Sequence, residues 1–326
     1  STDYEHSVRP LVLICPGGGY EFVSTKEGEP MALQFTAMGY HAAILRYSVR
    51  PAVYPTQLLE AAAAWKIIRE HAEEWNIQAD KIIIEGGSAG GHLAASYGIF
   101  CGEDIITNSV GLSADELRPA GTILCYPVIS SGEYAHRGSF EALLGKSYDE
   151  LSGDPMLEKM SLEKQVTEKT PPAFIWHTFT DDLVPSENSF LYAMALKAKN
   201  VGCELHIFPD GGHGLALANE FTRDRGGYGI QPECQAWIPL VKTWLGNKFG
   251  YGGIYARHRK IDKHLHRAIS KEKHWIFLSF NRWRDCILHS FGYDPLKYPV
   301  CGEIMLFLKL YYRHKPVPLH ELYERV

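Results

Sequence analysis

The chain has 326 residues, 45% hydrophobic and 22% charged, with a formal net charge of −5, a length and composition suited to one large globular α/β domain, alone or with an appendage. No apolar run approaches the ~20 residues that cross a bilayer, and no basic stretch followed by an apolar core opens the sequence, so neither a membrane span nor a secretory signal is expected. The charge is unevenly divided: residues 1–249 hold 19 Lys and Arg against 31 Asp and Glu, net −12, whereas residues 250–326 hold 14 against 7, net +7.

Residues 11–15 form the first short apolar run and read as a buried strand, with a second at 42–45. Between it and the third run, 81–85, the residues Leu58, Ala61, Ala62, Trp65, Ile68 and Ala72 line one face of a helix packed on a sheet. Another helix is predicted directly after Ser88. Strands at 121–126, 173–177 and 204–208 complete the set, with helices over roughly 187–199 and 232–245. Strands alternating with helices imply an α/β fold with a mainly parallel, doubly wound sheet.

Past Gly246 the texture changes. Gly250, Gly252 and Gly253 suggest a hinge, and a His- and Arg-rich stretch follows. Ile276, Phe280, Trp283 and Ile287 fall on one face of a helix, and 304–312 is another apolar run. The charge reversal and this change together predict two units, 1–249 and a basic, helical extension 250–326. Its exposed stripe would be covered by its own acidic domain or by a second copy of the chain, which makes a homo-oligomer conceivable. Cys15, Cys101, Cys125, Cys203, Cys234, Cys286 and Cys301 are widely spaced, odd in number and without a CxxC pair. That pattern suits reduced thiols in a cytoplasmic protein. The chain starts at Ser1 without Met, so a signal already removed is compatible with the sequence.

The strongest chemical signal is Gly86-Gly87-Ser88-Ala89-Gly90-Gly91, directly after the strand at 81–85. GxSxG at a strand-to-helix turn is a nucleophile elbow: the turn is strained and close-packed, and it lifts the serine hydroxyl clear of the sheet. It also puts the Ala89 amide at a helix N-terminus, where it can bind an anion. Cys15-Pro16-Gly17-Gly18-Gly19-Tyr20, after the first strand, is the second signal. Consecutive glycines let the backbone come close to a substrate. Gly18 and Gly19, with Ala89, are therefore the expected oxyanion donors, each such donor being worth roughly 3 kcal/mol. Tyr20 is expected to wall the acyl pocket. A dinucleotide loop does not fit, because GxGxxG spacing is missing and the next predicted helix is too far along.

A nucleophilic serine needs a base, and the base needs a carboxylate. His213, inside Asp210-Gly-Gly-His-Gly214, comes just after the last strand and so at the sheet edge that Ser88 occupies. Asp181 and Asp182, after the strand at 173–177, both qualify by location. His92, one turn into the helix after Ser88, reads as a structural hydrogen-bonding residue. No His, Cys or Asp cluster has metal-site spacing, no cofactor is implied, and no nucleic-acid reader motif accompanies the basic extension.

With these residues in place, 1–249 resembles the acetylesterase/lipase-like branch of the α/β hydrolases, the group labelled acetyl xylan esterase-like or feruloyl-esterase-like. The matching stretches are PGGGY (16–20), Tyr54-Pro55, GGSAGGHLAA (86–95), TPPAFIWHTFTDDLVP (170–185) and FPDGGHGLALA (208–218). The resemblance implies that the acid is the first residue of D-x-x-V-P, Asp181, and that the PGGGY loop binds the oxyanion. It also implies hydrolysis of short acyl esters, acetyl above all, on a carbohydrate alcohol such as an acetylated xylo-oligosaccharide. The family usually has one or two more strands ahead of PGGGY, so a trimmed sheet edge is expected, and it does not account for 250–326. The competing readings are a prolyl-oligopeptidase-like peptidase, which shares the order Ser, Asp, His but normally carries a large gating domain, and a catalytically dead hydrolase used as a binding scaffold.

Overall fold

The computed structural model describes residues 8–249 and the backbone of residues 310–312 and 315–317. Two units are distinguished, Ser1–Arg257 and His258–Val326. In the first, six strands run parallel: β1 (Arg9–Cys15), β2 (His41–Ile44), β3 (Ile77–Gly87), β4 (Gly121–Cys125), β5 (Ala173–Thr178) and β6 (Cys203–Phe208). Their order is β2-β1-β3-β4-β5-β6. Each predicted strand is present, within a few residues at its ends.

The apolar runs are continuous because the inner strands are buried on both faces. Leu11, Leu13 and Cys15 of β1 join one core, while Val12 and Ile14 join the other. On the first face lie α2 (Thr56–Glu70), α3 (Ser88–Phe100) and α8 (Glu187–Ala198). The stripe read from the sequence is the buried face of α2 from Leu58 to Ile68; Ala72, its last expected member, is buried in the turn beyond the helix. On the other face lie α1 (Glu29–Ala37) and α9 (Trp237–Phe249), the latter preceded by a 3₁₀ turn, Pro232–Ala236. The sequence reading did not anticipate α1, nor the short helices α4 (Asp104–Val110), α5 (Ala114–Leu117), α6 (Arg137–Leu144) and α7 (Pro155–Lys159). Two of them start on local caps: Ser113 closes a capping box with Glu116 at α5, and Asp154 accepts from the Met156 amide at the start of α7.

Strand order reverses at β1, which sends the chain to β2 on one side and pairs with β3 on the other. A crevice forms outside the carboxyl ends of strands at such a point. The loop after β1 and the turn after β3 both open there. β2 is an edge strand of this sheet and half-buried along its length. The second unit is described only at an antiparallel pair, β7 (Leu310–Tyr312) and β8 (Lys315–Val317). The expected hinge at 250–253 and the stripe Ile276, Phe280, Trp283, Ile287 lie outside the described residues, as do Cys286 and Cys301. Cys15, Cys101, Cys125, Cys203 and Cys234 are free thiols. Among the described residues no helix is long and apolar enough to cross a membrane.

The start of α3 lies against the end of β1. A Cβ on Gly90 would stand 1.9 Å from the Cys15 carbonyl oxygen and 2.5 Å from that of Pro16. Both obstacles are backbone, so neither can rotate away. Gly90→Ala is therefore expected to cost at least the roughly 1–3 kcal/mol of an overpacked core. A thermal unfolding midpoint equal to that of the unsubstituted protein would contradict the close approach.

Candidate active site

Ser88 ends the turn from β3 into α3 with φ +53°, a left-handed conformation that costs a non-glycine residue about 1–2 kcal/mol. Its Oγ lies 2.7 Å from His213 Nε2, and His213 Nδ1 lies 2.8 Å from Asp181 Oδ2. Asp181 offers only acceptors, which assigns the imidazole proton to Nδ1 and leaves Nε2 to accept from the serine hydroxyl. The structure thus brings together the three residues singled out after β3, β5 and β6. Asp182 is exposed.

Asp181 has four donors around its carboxylate. Oδ1 accepts the Leu183 and Val184 amides at 3.0 and 2.9 Å. Oδ2 accepts from His213 and, at 3.2 Å, from Nε2 of His177, a fully buried residue four positions earlier. His177 Nε2 also donates to the Val184 carbonyl at 2.9 Å, and its Nδ1 accepts from Ser189 Oγ at 2.8 Å. Burial works against the charge on Asp181. Hydrogen bonds from His177 and His213, the nearby imidazole charge and the Val184 amide outweigh it and hold the carboxyl well below its ordinary range.

The loop after β1 is the second half of the site. The Gly17 amide donates to Glu27 Oε2 at 3.1 Å, and the Gly18 carbonyl accepts from the Glu21 and Phe22 amides. Gly18 holds φ +125°, and a Cβ there would meet the Phe22 carbonyl oxygen at 2.0 Å. Among the described residues, no hydrogen bond engages the Gly18 or Gly19 amide. Ala89 is buried in the first turn of α3.

Tyr20 departs from expectation. Its ring is 1% exposed, and its hydroxyl donates to His92 Nδ1 at 2.9 Å. Its ring packs edge-on against Tyr47 and His92 in the interior, where the expectation was a wall of the acyl pocket. His92 Nε2 bonds the Met160 carbonyl at 3.0 Å, and burial pushes its pKa down to about 4, so it is a neutral structural residue.

Further residues near the site escaped the sequence reading. Tyr126 Oη donates to Glu27 Oε1 at 2.7 Å and itself accepts the Ala216 amide at 2.9 Å. The Tyr126 ring meets His213 edge-on at 5.2 Å. Tyr228 Oη donates to the His213 carbonyl at 2.7 Å. Half-buried His136, just ahead of α6, accepts or donates at Nδ1 with Ser139 Oγ at 2.8 Å; burial first, then the His213 imidazole, lowers its pKa. His177 alone left a trace in the sequence, four residues before Asp181. The others are brought in from distant segments. Among the described residues no group of three or more His, Cys, Asp or Glu side chains is placed to hold a metal ion.

With this geometry in hand, comparison with known proteins is informative. The chain matches the family described as BD-FAE over residues 2–196, a span that contains Ser88 and Asp181 and ends before His213. It is 38% identical over 216 residues to endo-1,4-beta-xylanase B of Butyrivibrio fibrisolvens, covering 65% of this chain and 33% of that protein. To an acetylxylan esterase of Xylanibacter ruminicola it is 32% identical over 211 residues, covering 63% of this chain and 41% of the relative. The chain therefore spans well under half the length of these two relatives. Among solved structures, an acetyl ester-xyloside bifunctional hydrolase from Caldicellulosiruptor lactoaceticus superposes with a TM-score of 0.66 at 38% identity, over 76% of this chain and 86% of that one.

The low pKa of Asp181 has a consequence for stability. A carboxyl whose folded pKa lies below its ordinary 3.8 contributes stability that is fully present above 3.8 and is lost as pH falls through the folded value. In urea unfolding, the margin of the unsubstituted protein over Asp181→Asn is therefore expected to be largest near neutrality and to shrink on acidification below 3.8. A margin that grew as pH fell would contradict the four-donor arrangement.

Proposed function

Because the chain belongs to the BD-FAE family, an acetylesterase-like group of α/β hydrolases, we propose that it is a serine carboxylesterase that removes acetyl and similar short acyl groups from carbohydrate alcohols. The observation that carries this reading is the unbroken line from Ser88 Oγ through His213 to Asp181, at 2.7 and 2.8 Å.

In the first step Ser88 Oγ attacks the ester carbonyl while His213 Nε2 takes the hydroxyl proton. Negative charge moves to the former carbonyl oxygen, where the Gly18, Gly19 and Ala89 amides are available to bind it. Preorganised donors of this kind reduce the barrier because they need no rearrangement as the charge develops. Asp181 keeps the imidazole in the Nδ1–H tautomer and stabilises the imidazolium. His213 then returns the proton to the departing alkoxide, leaving an acyl-serine. Water enters, His213 takes a proton from it, and a second tetrahedral intermediate collapses to release the carboxylic acid and restore Ser88.

The names of the relatives support the carbohydrate side of the proposal: one is an acetylxylan esterase, another an acetyl ester-xyloside hydrolase. Loops carrying the site also expose Phe22, Phe179 and Leu183, apolar surface suited to the flat face of a sugar ring. The preference for short acyl chains rests on these relatives, since Tyr20 lies too deep to crowd a longer chain.

Ser88→Ala is expected to reduce kcat for p-nitrophenyl acetate by roughly 10⁴-fold or more with the fold retained. Asp181→Asn is expected to cost on the order of 10⁴, through the wrong tautomer and an unstabilised imidazolium, while Asp182→Asn stays near the unsubstituted rate. The reverse ranking would move the acid to Asp182. Acetylated xylo-oligosaccharides assayed beside octanoyl esters and an aminoacyl-nitroanilide test the substrate: faster turnover of either of the latter two would overturn the carbohydrate reading.

A further inference from the structure

Glu27 is 5% exposed and takes no part in the chemistry above, yet its carboxylate lies between three parts of the site. Oε2 accepts the Gly17 amide of the glycine loop, and Oε1 accepts the Tyr126 hydroxyl at the end of β4. The Tyr126 oxygen in turn accepts the amide of Ala216, three residues beyond His213. The glycines themselves report how close the carboxylate is. A Cβ on Gly17 would stand 2.8 Å from Glu27 Oε2 and 2.9 Å from Ser88 Cβ, and one on Gly87 would stand 2.6 Å from Glu27 Oε1.

Electrostatics alone would argue against a carboxylate here, because it opposes the charge that the neighbouring amides are meant to bind. The benefit must come from geometry. Glu27 accepts the one amide of the glycine triplet that is not among the expected oxyanion donors, and takes the Tyr126 hydroxyl on its other oxygen. Holding Gly17 this way orients the peptide units of Gly18 and Gly19. The link through Tyr126 ties the same anchor to the loop carrying His213. We propose that Glu27 is a positioning residue that sets the distance between the oxyanion donors and the catalytic base, so that the Gly18 and Gly19 amides and His213 Nε2 converge on one carbonyl. The proposal rests on the esterase reading above.

The test uses Glu27→Gln and Tyr126→Phe in the full chain. Glu27→Gln retains the side-chain volume but offers one acceptor oxygen for two donors. Tyr126→Phe keeps the ring and removes the hydroxyl that joins Glu27 to Ala216. Active serines are counted by titration with diethyl p-nitrophenyl phosphate, and kcat for p-nitrophenyl acetate is expressed per active serine. The expected result is a fall in kcat of roughly tenfold to hundredfold with KM changed by less than about twofold. Affinity for phenylboronic acid, whose tetrahedral serine adduct presents an anionic oxygen to the loop, is expected to fall in parallel. A lowered unfolding temperature with kcat per serine and boronate affinity unchanged would reduce Glu27 to a purely structural role and overturn the proposal. If Glu27→Gln does not fold, Tyr126→Phe decides by the same two readouts. Absence of turnover in the unsubstituted protein would instead overturn the esterase reading, and boronate affinity alone would then decide the role of Glu27.

Discussion

Backbone meets backbone at the junction of β1 and α3, and this contact leaves the rest of the site little choice. Gly90 has no room for a Cβ because the Cys15 and Pro16 carbonyls already fill it. That approach puts the end of β1, and the glycine loop that follows it, beside the first turn of α3, two segments some 70 residues apart in the chain. The left-handed Ser88 follows from the same constraint, since the chain must turn sharply from β3 to start the helix there. Strain of this kind persists only where surrounding packing over-determines it, and here an all-buried helix start and a strand end supply that packing.

Three buried carboxyl groups lie in or near this junction, and their surroundings separate them. Asp181 receives four donors, and the hydrogen bonds overcome the cost of burial. Glu85, one residue before the elbow, has only the Cys125 thiol at 3.3 Å on Oε1, and among the described residues Oε2 has no partner. Burial therefore dominates and pushes Glu85 up to about 8, leaving it largely neutral at physiological pH. Glu27 has one donor on each oxygen. Between Asp181 and Glu85, the deeper burial of Glu85 and its poverty of donors act in the same direction, and the four donors of Asp181 in the opposite one.

What the sequence disclosed follows the same division. Strands were legible because apolar runs of five or six residues have few other uses, and Ser88, His213 and the glycine loop were legible because each needs small neighbours contiguous in sequence. Asp181 and Asp182 could not be separated by spacing alone; the D-x-x-V-P resemblance favoured Asp181, and Asp181 is the one hydrogen-bonded to His213 while Asp182 is exposed. Tyr20 was misread because its place after the glycines suggested a pocket wall. Its left-handed backbone, φ +61°, sends the ring inward to His92 instead. Glu27 and Tyr126 gave no sign at all: they are 99 residues apart, and neither sits in a pattern that chemistry demands locally.

That contrast bears on how such a site is built. The reacting atoms belong to short motifs, because strain and close approach are local demands that a few adjacent residues must meet. The distances between reacting atoms belong to long-range hydrogen bonds, and these draw on whatever side chain the fold delivers. Ala216 illustrates the second kind: its amide is held by Tyr126, its carbonyl accepts from Trp237 Nε1 at 3.0 Å, and Trp237 stacks on Trp176 of β5. The loop after His213 also buries Leu215 and Leu217 in the core. Pinned at both backbone groups, it transmits the rigidity of the sheet and of α9 to the imidazole. An error of about 1 Å in such a placement can cost a catalyst roughly a hundredfold in rate. The uncharged Tyr126 and Trp237 therefore bear on the same quantity as the triad itself, the separation between a proton acceptor and the carbonyl that Ser88 must reach.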